Sequence, residues 1–370
     1  MLNNISDAIE AIKNGELVIV VDDEDRENEG DFVCAAELIT PDKINFMATI
    51  GRGLICAPLE ADRVEALGLE MMVNQNTAMH ETAFTVSIDL IGHGCTTGIS
   101  AYDRATGIKA LTDPRITRDD YAKPGHIFPL KAKSGGVLRR TGHTEAAVDL
   151  AKLAGLYPAG VLVEILNTDG TMARLPQLME IAEQHNLKII SISDLVAYRL
   201  KTEQLIRKEF EGVLESPYGS LHVHLYRQIN SDDIHVAIKY GTWNEDDVVP
   251  VRVFSENNIH ETAAFLFTGW MKQLQNVMDY FSEQKKGLVL FMRQSERSID
   301  LVESIINLTK QIQPEQRQEQ RDLGIGAQII RDMGITKLDL VTSSKKRRVG
   351  ILGYGIEIVK TTSVDAIESI

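Results

Sequence analysis

Ten residues, Asp22 to Asp31, read DDEDRENEGD and carry seven carboxylates and one arginine. Fold-building alone does not call for such a density of like charge, because neighbouring carboxylates repel one another unless water, a paired cation or a bound metal lies between them. The run follows Leu17-Val18-Ile19-Val20-Val21, an apolar stretch that predicts a buried strand. The acids therefore sit where a buried strand gives way to a loop, a common place for chemistry because the strand fixes the loop. Two readings stand at this point: a solvated acidic turn, or one side of a site for a divalent cation.

The 370 residues, 44% hydrophobic and 25% charged, have room for two globular domains. A formal charge of -14 argues against a nucleic-acid binder working by bulk electrostatics, so any phosphate must be held by a few placed cations. Cys34, Cys56 and Cys95 all fall in the first third without CxxC spacing, which predicts a reducing cytoplasm and no structural disulfide. The opening MLNNISDAIEAIKNG lacks a basic start and an apolar core, and no stretch approaches the roughly 20 apolar residues a bilayer requires. The expectation is a protein neither secreted nor membrane-spanning.

Helix and strand signals alternate irregularly. Ser6 is placed to cap a helix with Ile5, Ala8, Ile9 and Ile12 on its apolar face and Gly15 at its end. Thr40-Pro41 starts a second helix, and short strands are predicted at Leu54 to Ala57 and Ala83 to Ile88. Then come a helix from Thr144 to Gly155, a strand from Val161 to Ile165, a helix from Leu175 to His185, a strand from Leu187 to Ile192 and a last helix capped by Ser193. Near Leu200 the texture turns charged and then turn-rich, which reads as a boundary after about residue 205, with a second domain from Glu211 to Ile370. Its predicted strands are Leu221 to Arg227, His235 to Lys239, Leu288 to Met292 and Leu338 to Val341, with helices at Thr262 to Ser282 and Arg321 to Met333.

Four segments of the first domain concentrate polar groups beside glycines: DDEDRENEGD, TTGISAYDR (Thr96 to Arg104), PGHIFPL (Pro124 to Leu130) and RTGHTEA (Arg140 to Ala146). Together with Gly170-Thr-Met-Ala-Arg174 they resemble 3,4-dihydroxy-2-butanone 4-phosphate synthase, over about the first 200 residues. The resemblance implies an α+β, mixed-sheet synthase domain that converts D-ribulose 5-phosphate to the butanone phosphate and formate with Mg2+ or Mn2+. It implies a homodimer with active sites near the subunit interface. It also implies Glu27 and His143 as metal ligands and His126 and Glu164 as the essential catalytic pair. Substrate contacts are implied for Arg26, Glu27, Asp31, Arg140, Thr141, Gly142, His143, Thr144 and Glu164.

The residues themselves fit these roles. A hard cation prefers carboxylate oxygen, and a nitrogen ligand can complete its sphere. His143 stands at a predicted helix N-terminus, where the dipole disfavours imidazolium. The same helix start offers free N–H groups, and Arg140 a forked cation, for a phosphate. Arg26 could serve the substrate or pair with its acidic neighbours. Glu164 ends an apolar strand, which is costly unless the acid is paired, liganded or protonated. His126 lies between prolines that could fix its loop. Thr97, Asp103 and Arg104 are candidates for sugar contact, or Asp103 and Arg104 for a surface pair. Cys56 and Cys95 read as packing residues.

From about Glu215 the chain resembles GTP cyclohydrolase II, through SPYGS, Arg252-Val-Phe-Ser-Glu256, Arg321-Asp322 and Leu340-Val-Thr-Ser-Ser344. The resemblance implies an α/β domain, but the three zinc cysteines of that enzyme correspond here to Asn257, Thr268 and Trp270. None of these is an adequate zinc ligand, and adjacent His260 and Glu261 do not rebuild the site, so no zinc is expected. The acidic proton acceptor corresponds to Glu319, its partner arginine to Arg321, and the phosphate-binding segment to Ser295-Glu296-Arg297. Three rival readings remain: a bifunctional enzyme, a non-catalytic regulator, and an EF-hand beginning at Asp25-x-Glu27-x-Glu29-Gly30. The last lacks the glutamate needed at position twelve, where Ala36 stands.

Overall fold

The computed structural model describes residues 2–23, 26–78, 82–229, 233–256, 270–293, 320–342 and 356–363. The chain divides into two compact units, Met1–Arg199 and Leu200–Ile370.

The first unit is built on a seven-stranded mixed sheet of order β4-β5-β3-β6-β2-β1-β7. In chain order the strands are β1 (Val18–Val21), β2 (Gly30–Ala35), β3 (Cys56–Leu59), β4 (Ile88–Leu90), β5 (Tyr121–Lys131), β6 (Gly160–Glu164) and β7 (Lys188–Ser191). Helices cover both faces, so central strands such as β1 are buried at every position and read as unbroken apolar runs. On one face Ile19, Phe32, Cys34, Val161 and Val163 form a core with Ile44 and Met47 from the α2 region (Pro41–Phe46) and Leu178 of α6 (Leu175–His185). The other face receives α1 (Ile5–Lys13) and α5 (His143–Leu153), and α5 is buried from His143 through Ala151.

Three local expectations are corrected. Ser6 does not cap α1: Asn4 holds that position, and the buried face is Ile5, Ala8, Ala11 and Ile12. Ser193 lies inside α7 (Ile192–Thr202), where it is Ser191 Oγ that accepts the Asp194 N–H at 3.0 Å. Ala83 to Ile88 is no continuous strand. Thr85 N donates to Pro129 O while Val86 N donates to Glu70 O, so the segment divides its hydrogen bonds between two partners and never completes one ladder.

The second unit also carries a seven-stranded mixed sheet, of order β14-β13-β11-β12-β10-β9-β8. Its strands are β8 (Ile206–Ser216), β9 (Gly219–Gln228), β10 (Ile234–Gly241), β11 (Val248–Glu256), β12 (Lys286–Arg293), β13 (Lys337–Thr342) and β14 (Glu357–Ser363). Helices α8 (Trp270–Gln284) and α9 (Gln320–Asp332) accompany it, with Val277, Met278 and Phe281 of α8 packed on Phe254, Val289 and Val341. The charged stretch that reads as a linker is β8, so the second sheet starts before Glu211. An edge strand, exposed over nearly all its length, carries charge where a central strand carries apolar residues. Strand β11 was hidden by Pro250, although that residue sits in register with Asp339 of β13. Asn257, His260, Glu261, Thr268, Glu319 and Ser295 to Arg297 lie outside the described residues, as does the 262–269 part of the predicted helix.

Candidate active site

Strand β1 delivers the acidic run to one end of the first sheet. Asp22 follows it directly, buried, and its backbone N–H donates to Glu29 O at 3.0 Å to close the loop. Arg174, just before α6, donates from Nη1 to Glu27 O at 3.0 Å and also to Asn28 O, and so holds the loop from below. Arg26 lies inside the run and bridges its neighbours: Nη1 is 2.5 Å from Asp22 Oδ2 and Nη2 3.0 Å from Glu27 Oε1.

His143, the first residue of α5, reaches this loop from the covered face. Its Nε2–H donates to Val20 O at 3.2 Å, while Nδ1 faces Glu27 Oε2 at 3.6 Å. A carbonyl partner on one ring nitrogen leaves the other for a metal or a carboxylate. Ligand atoms of Asp22, Glu27 and His143 lie within 4.8 Å of one another, a donor set of two carboxylates and an imidazole that suits a divalent cation. Asp22 is a member that sequence reasoning did not single out, since seven acids in one run offer no way to choose among them.

Asp31, at the start of β2, is buried, and among the described residues its Oδ1 has no hydrogen-bond partner. Burial pushes its carboxyl up to about 7, with His143 opposing and Glu164 and Glu27 adding to the rise. Burial works against a charge on His143, but Asp31, Glu27 and Asp22 outweigh it and carry the imidazole up to about 9. Both groups are held in a state that a cation, by displacing a proton, would resolve. Asp31 stands opposite Glu164 of β6 in the antiparallel register, so the two carboxylates project from the same face. Glu164 is half-buried and accepts the Leu54 N–H at 2.8 Å.

His126 reaches the same end of the sheet by another route. Phe128, Cys56 and Leu162 form one row across β5, β3 and β6. His126 precedes that row by two residues on β5, and Glu164 follows it by two on antiparallel β6, so the register carries both to one edge. His126 is not in a loop held by prolines. It lies in β5 where the β4 register shifts, Ile88 facing Ile127 and Asp89 facing Ala122, and this irregularity pushes it out of the ladder.

Arg140 is already committed: Nη1 is 2.7 Å from Glu145 Oε2 and Nη2 donates to Thr82 Oγ1 at 3.2 Å. Thr141 and Gly142 lead into α5, with Gly142 as its N-cap, and Thr144 is buried in its first turn. In TTGISAYDR, Asp103 is buried and, among the described residues, pairs with no surface cation. It accepts hydrogen bonds from Thr96 N, Thr96 Oγ1 and Gly98 N at 3.1, 2.8 and 3.0 Å, which organises the loop before α4 (Ala101–Ala110). Cys34 and Cys56 are buried, and burial pushes both thiols up, away from nucleophilic use.

Residues 6–198 match the family model of 3,4-dihydroxy-2-butanone 4-phosphate synthase, and residues 207–363 that of GTP cyclohydrolase II. The chain is 49% identical to the riboflavin biosynthesis protein RibBA of Cytophaga hutchinsonii, over 98% of its own length and 92% of that protein's. It is 46% identical to the RibBA of Aquifex aeolicus over the same shares. Among solved structures, RibBX of A. baumannii, described as a two-domain 3,4-dihydroxy-2-butanone 4-phosphate synthase, matches with a TM-score of 0.75 at 36% identity, over 98% of this chain and 99% of that one. A synthase solved with two magnesium ions matches 54% of this chain and 98% of its own, with a TM-score of 0.52 at 42% identity. The chain belongs to the 3,4-dihydroxy-2-butanone 4-phosphate synthase family, followed by a domain of the GTP cyclohydrolase II family, and is a riboflavin-biosynthesis enzyme that makes the butanone phosphate and formate from D-ribulose 5-phosphate.

Proposed function

We propose that the converging end of the first sheet is the synthase active site, with Glu27, His143 and Asp22 holding magnesium or manganese and His126 and Glu164 moving protons. The observation that carries this reading is a buried imidazole facing two carboxylates, beside a buried Asp31 oxygen that has no hydrogen-bond partner among the described residues. A bound divalent ion supplies a fixed positive charge that stabilises negative charge developing on the substrate's oxygens. The chain supplies the rest. The N–H groups of His143 and Thr144, which open α5 after Thr141 and Gly142, serve the phosphate, with the Arg140 guanidinium held beside them by Glu145 and Thr82. Arg26 and Asp31 line the sugar. A group able to take a proton next to the ketone and return it during rearrangement is needed, and His126 and Glu164 flank the position from strands on either side of β3. The protein works as a homodimer in the cytoplasm.

The second domain does no zinc-dependent ring opening of GTP. Its whole length contains no cysteine, and a two-domain relative described only as a synthase spans the same architecture. The test is formate release from purified protein with ribulose 5-phosphate, with and without magnesium, and separately with GTP. Magnesium-dependent formate from the sugar phosphate alone is the expected result. Formate from GTP would instead establish a bifunctional enzyme, and none from either substrate would sink the assignment of the site.

A further inference from the structure

We propose that Asp89 is the positioning residue of the proton-transferring His126, fixing both its place and its tautomer; this rests on the reading of His126 given above. Asp89, in β4, grips His126 twice: Oδ1 accepts the His126 backbone N–H at 2.9 Å and Oδ2 meets ring Nδ1 at 2.7 Å. The rest of the extruded segment is pinned from the residue just before β4, since Ser87 Oγ accepts the Gly125 N–H at 3.1 Å. A Cβ on Gly125 would lie 2.1 Å from the Ile88 carbonyl carbon, so only glycine permits this approach. The His126 side chain is 45% exposed while that of Asp89 is 17% exposed, so the ring opens to solvent with its carboxylate partner behind it.

A carboxylate can only accept. Facing Nδ1, it keeps the proton of the neutral ring there and leaves Nε2 with a lone pair turned away from Asp89. When Nε2 takes a proton, the new N–H bond forms from that lone pair and the electrons of the broken bond stay with the substrate. The resulting imidazolium is stabilised by the Asp89 charge, as in other carboxylate–histidine pairs.

The same contact explains the TTGISAYDR motif. Gly98, at φ +95°, lies against Asp89, and a Cβ there would fall 2.1 Å from Oδ2. Asp103 holds the Gly98 N–H at 3.0 Å, so its hydrogen bonds keep the loop pressed on the carboxylate. Asp103 thus acts on His126 through Gly98 and Asp89.

Asp89→Asn separates this role from simple packing. The backbone N–H of His126 can only donate, so it takes the asparagine Oδ1 and turns the Nδ2 hydrogens toward ring Nδ1. Nδ1 must then accept, and the ring proton moves to Nε2, where it blocks proton uptake. In the full-length enzyme with magnesium, Asp89→Asn lowers kcat about a hundredfold or more at unchanged KM. Asp89→Glu, which keeps two acceptors, recovers most of that loss. Nitrogen-15 spectra of the histidines show the His126 proton on Nδ1 in the parent and on Nε2 in Asp89→Asn. Wild-type kcat in Asp89→Asn beside an inactive His126→Ala overturns the role of Asp89 alone, as does an unchanged tautomer. Full activity in His126→Ala overturns the reading of His126 itself, and the role of Asp89 falls with it.

Discussion

His143 in the first unit and His235 in the second are both buried, 7% and 1% exposed, yet their environments drive them in opposite directions. Burial penalises a charge on each. Around His143 three carboxylates, Asp31, Glu27 and Asp22, overcome that penalty and raise the imidazole to about 9. Around His235 burial prevails over Asp233, and the imidazole falls to about 4. His235 Nδ1 accepts the Arg293 N–H at 3.1 Å, which suits a neutral ring packed in a sheet. Burial is common to both histidines; what separates them is the cluster of carboxylates around His143, and perturbing charges of this kind gather at functional sites more often than elsewhere.

The largest expected effect breaks the charged side of this comparison. Glu27→Gln keeps the shape of the loop but removes the charge that faces His143, and Arg26 loses one of its two carboxylates. Magnesium-dependent formate release should fall by at least about a hundredfold, as should that of His143→Ala. His235→Phe, in the other unit, should leave formate release unchanged. Equal losses in all three would mean that the two histidines do not differ in kind.

Much of this site was legible in the sequence, and the reason is local. The strand Leu17 to Val21 and the run after it are adjacent in the chain, and RTGHT announces a helix start by its own residue types. What sequence alone could not supply were contacts between segments far apart. Asp22 became a ligand candidate only when His143, at the far side of the domain in sequence, arrived beside it. Arg174 was visible as part of a motif, but its grip on the Glu27 and Asn28 carbonyls was not. Asp89 carried no signal, being one acid in a short strand, until the shifted register of β4 and β5 set it against His126. In the second unit, β8 was missed because an edge strand keeps its charges, and the buried state of His235 was invisible because periodicity does not reveal which histidine has lost its water.

The next effect, in size, concerns acid. The folded-state value of His235 lies below its unfolded one of about 6.5, so folding disfavours its proton. Its contribution to stability is present above about 6.5 and is lost as pH falls through 4, on the order of 3 kcal/mol over that window. Urea titrations at pH 7 and pH 4 should show the second unit losing stability in the parent. His235→Phe, which cannot titrate and is of similar volume, should lose distinctly less. An identical loss in both would mean that His235 does not take up its proton on unfolding.

The smallest effect lies on the basic side and involves metal. In the metal-free protein the raised value of His143 gives stability that is complete below about 6.5 and is lost as pH rises through 9. Asp31, raised to about 7, penalises its own ionised form, so its effect also lowers stability as pH rises from about 4 to 7. Magnesium reverses this trend because it needs the imidazole neutral and the carboxylates ionised. Below the His143 value its affinity should rise about tenfold for each unit of pH over which a proton must leave. At a fixed, sub-saturating magnesium concentration, each tenfold gain adds up to about 1.4 kcal/mol, or a few degrees in Tm. The increment caused by magnesium should therefore be larger at pH 8.5 than at pH 6.5. In His143→Ala, with the competing proton gone, it should change much less between those values. Equal increments in the parent protein would place the magnesium away from His143, and the surplus of carboxylates around that residue would then have to be read as balanced by its proton alone.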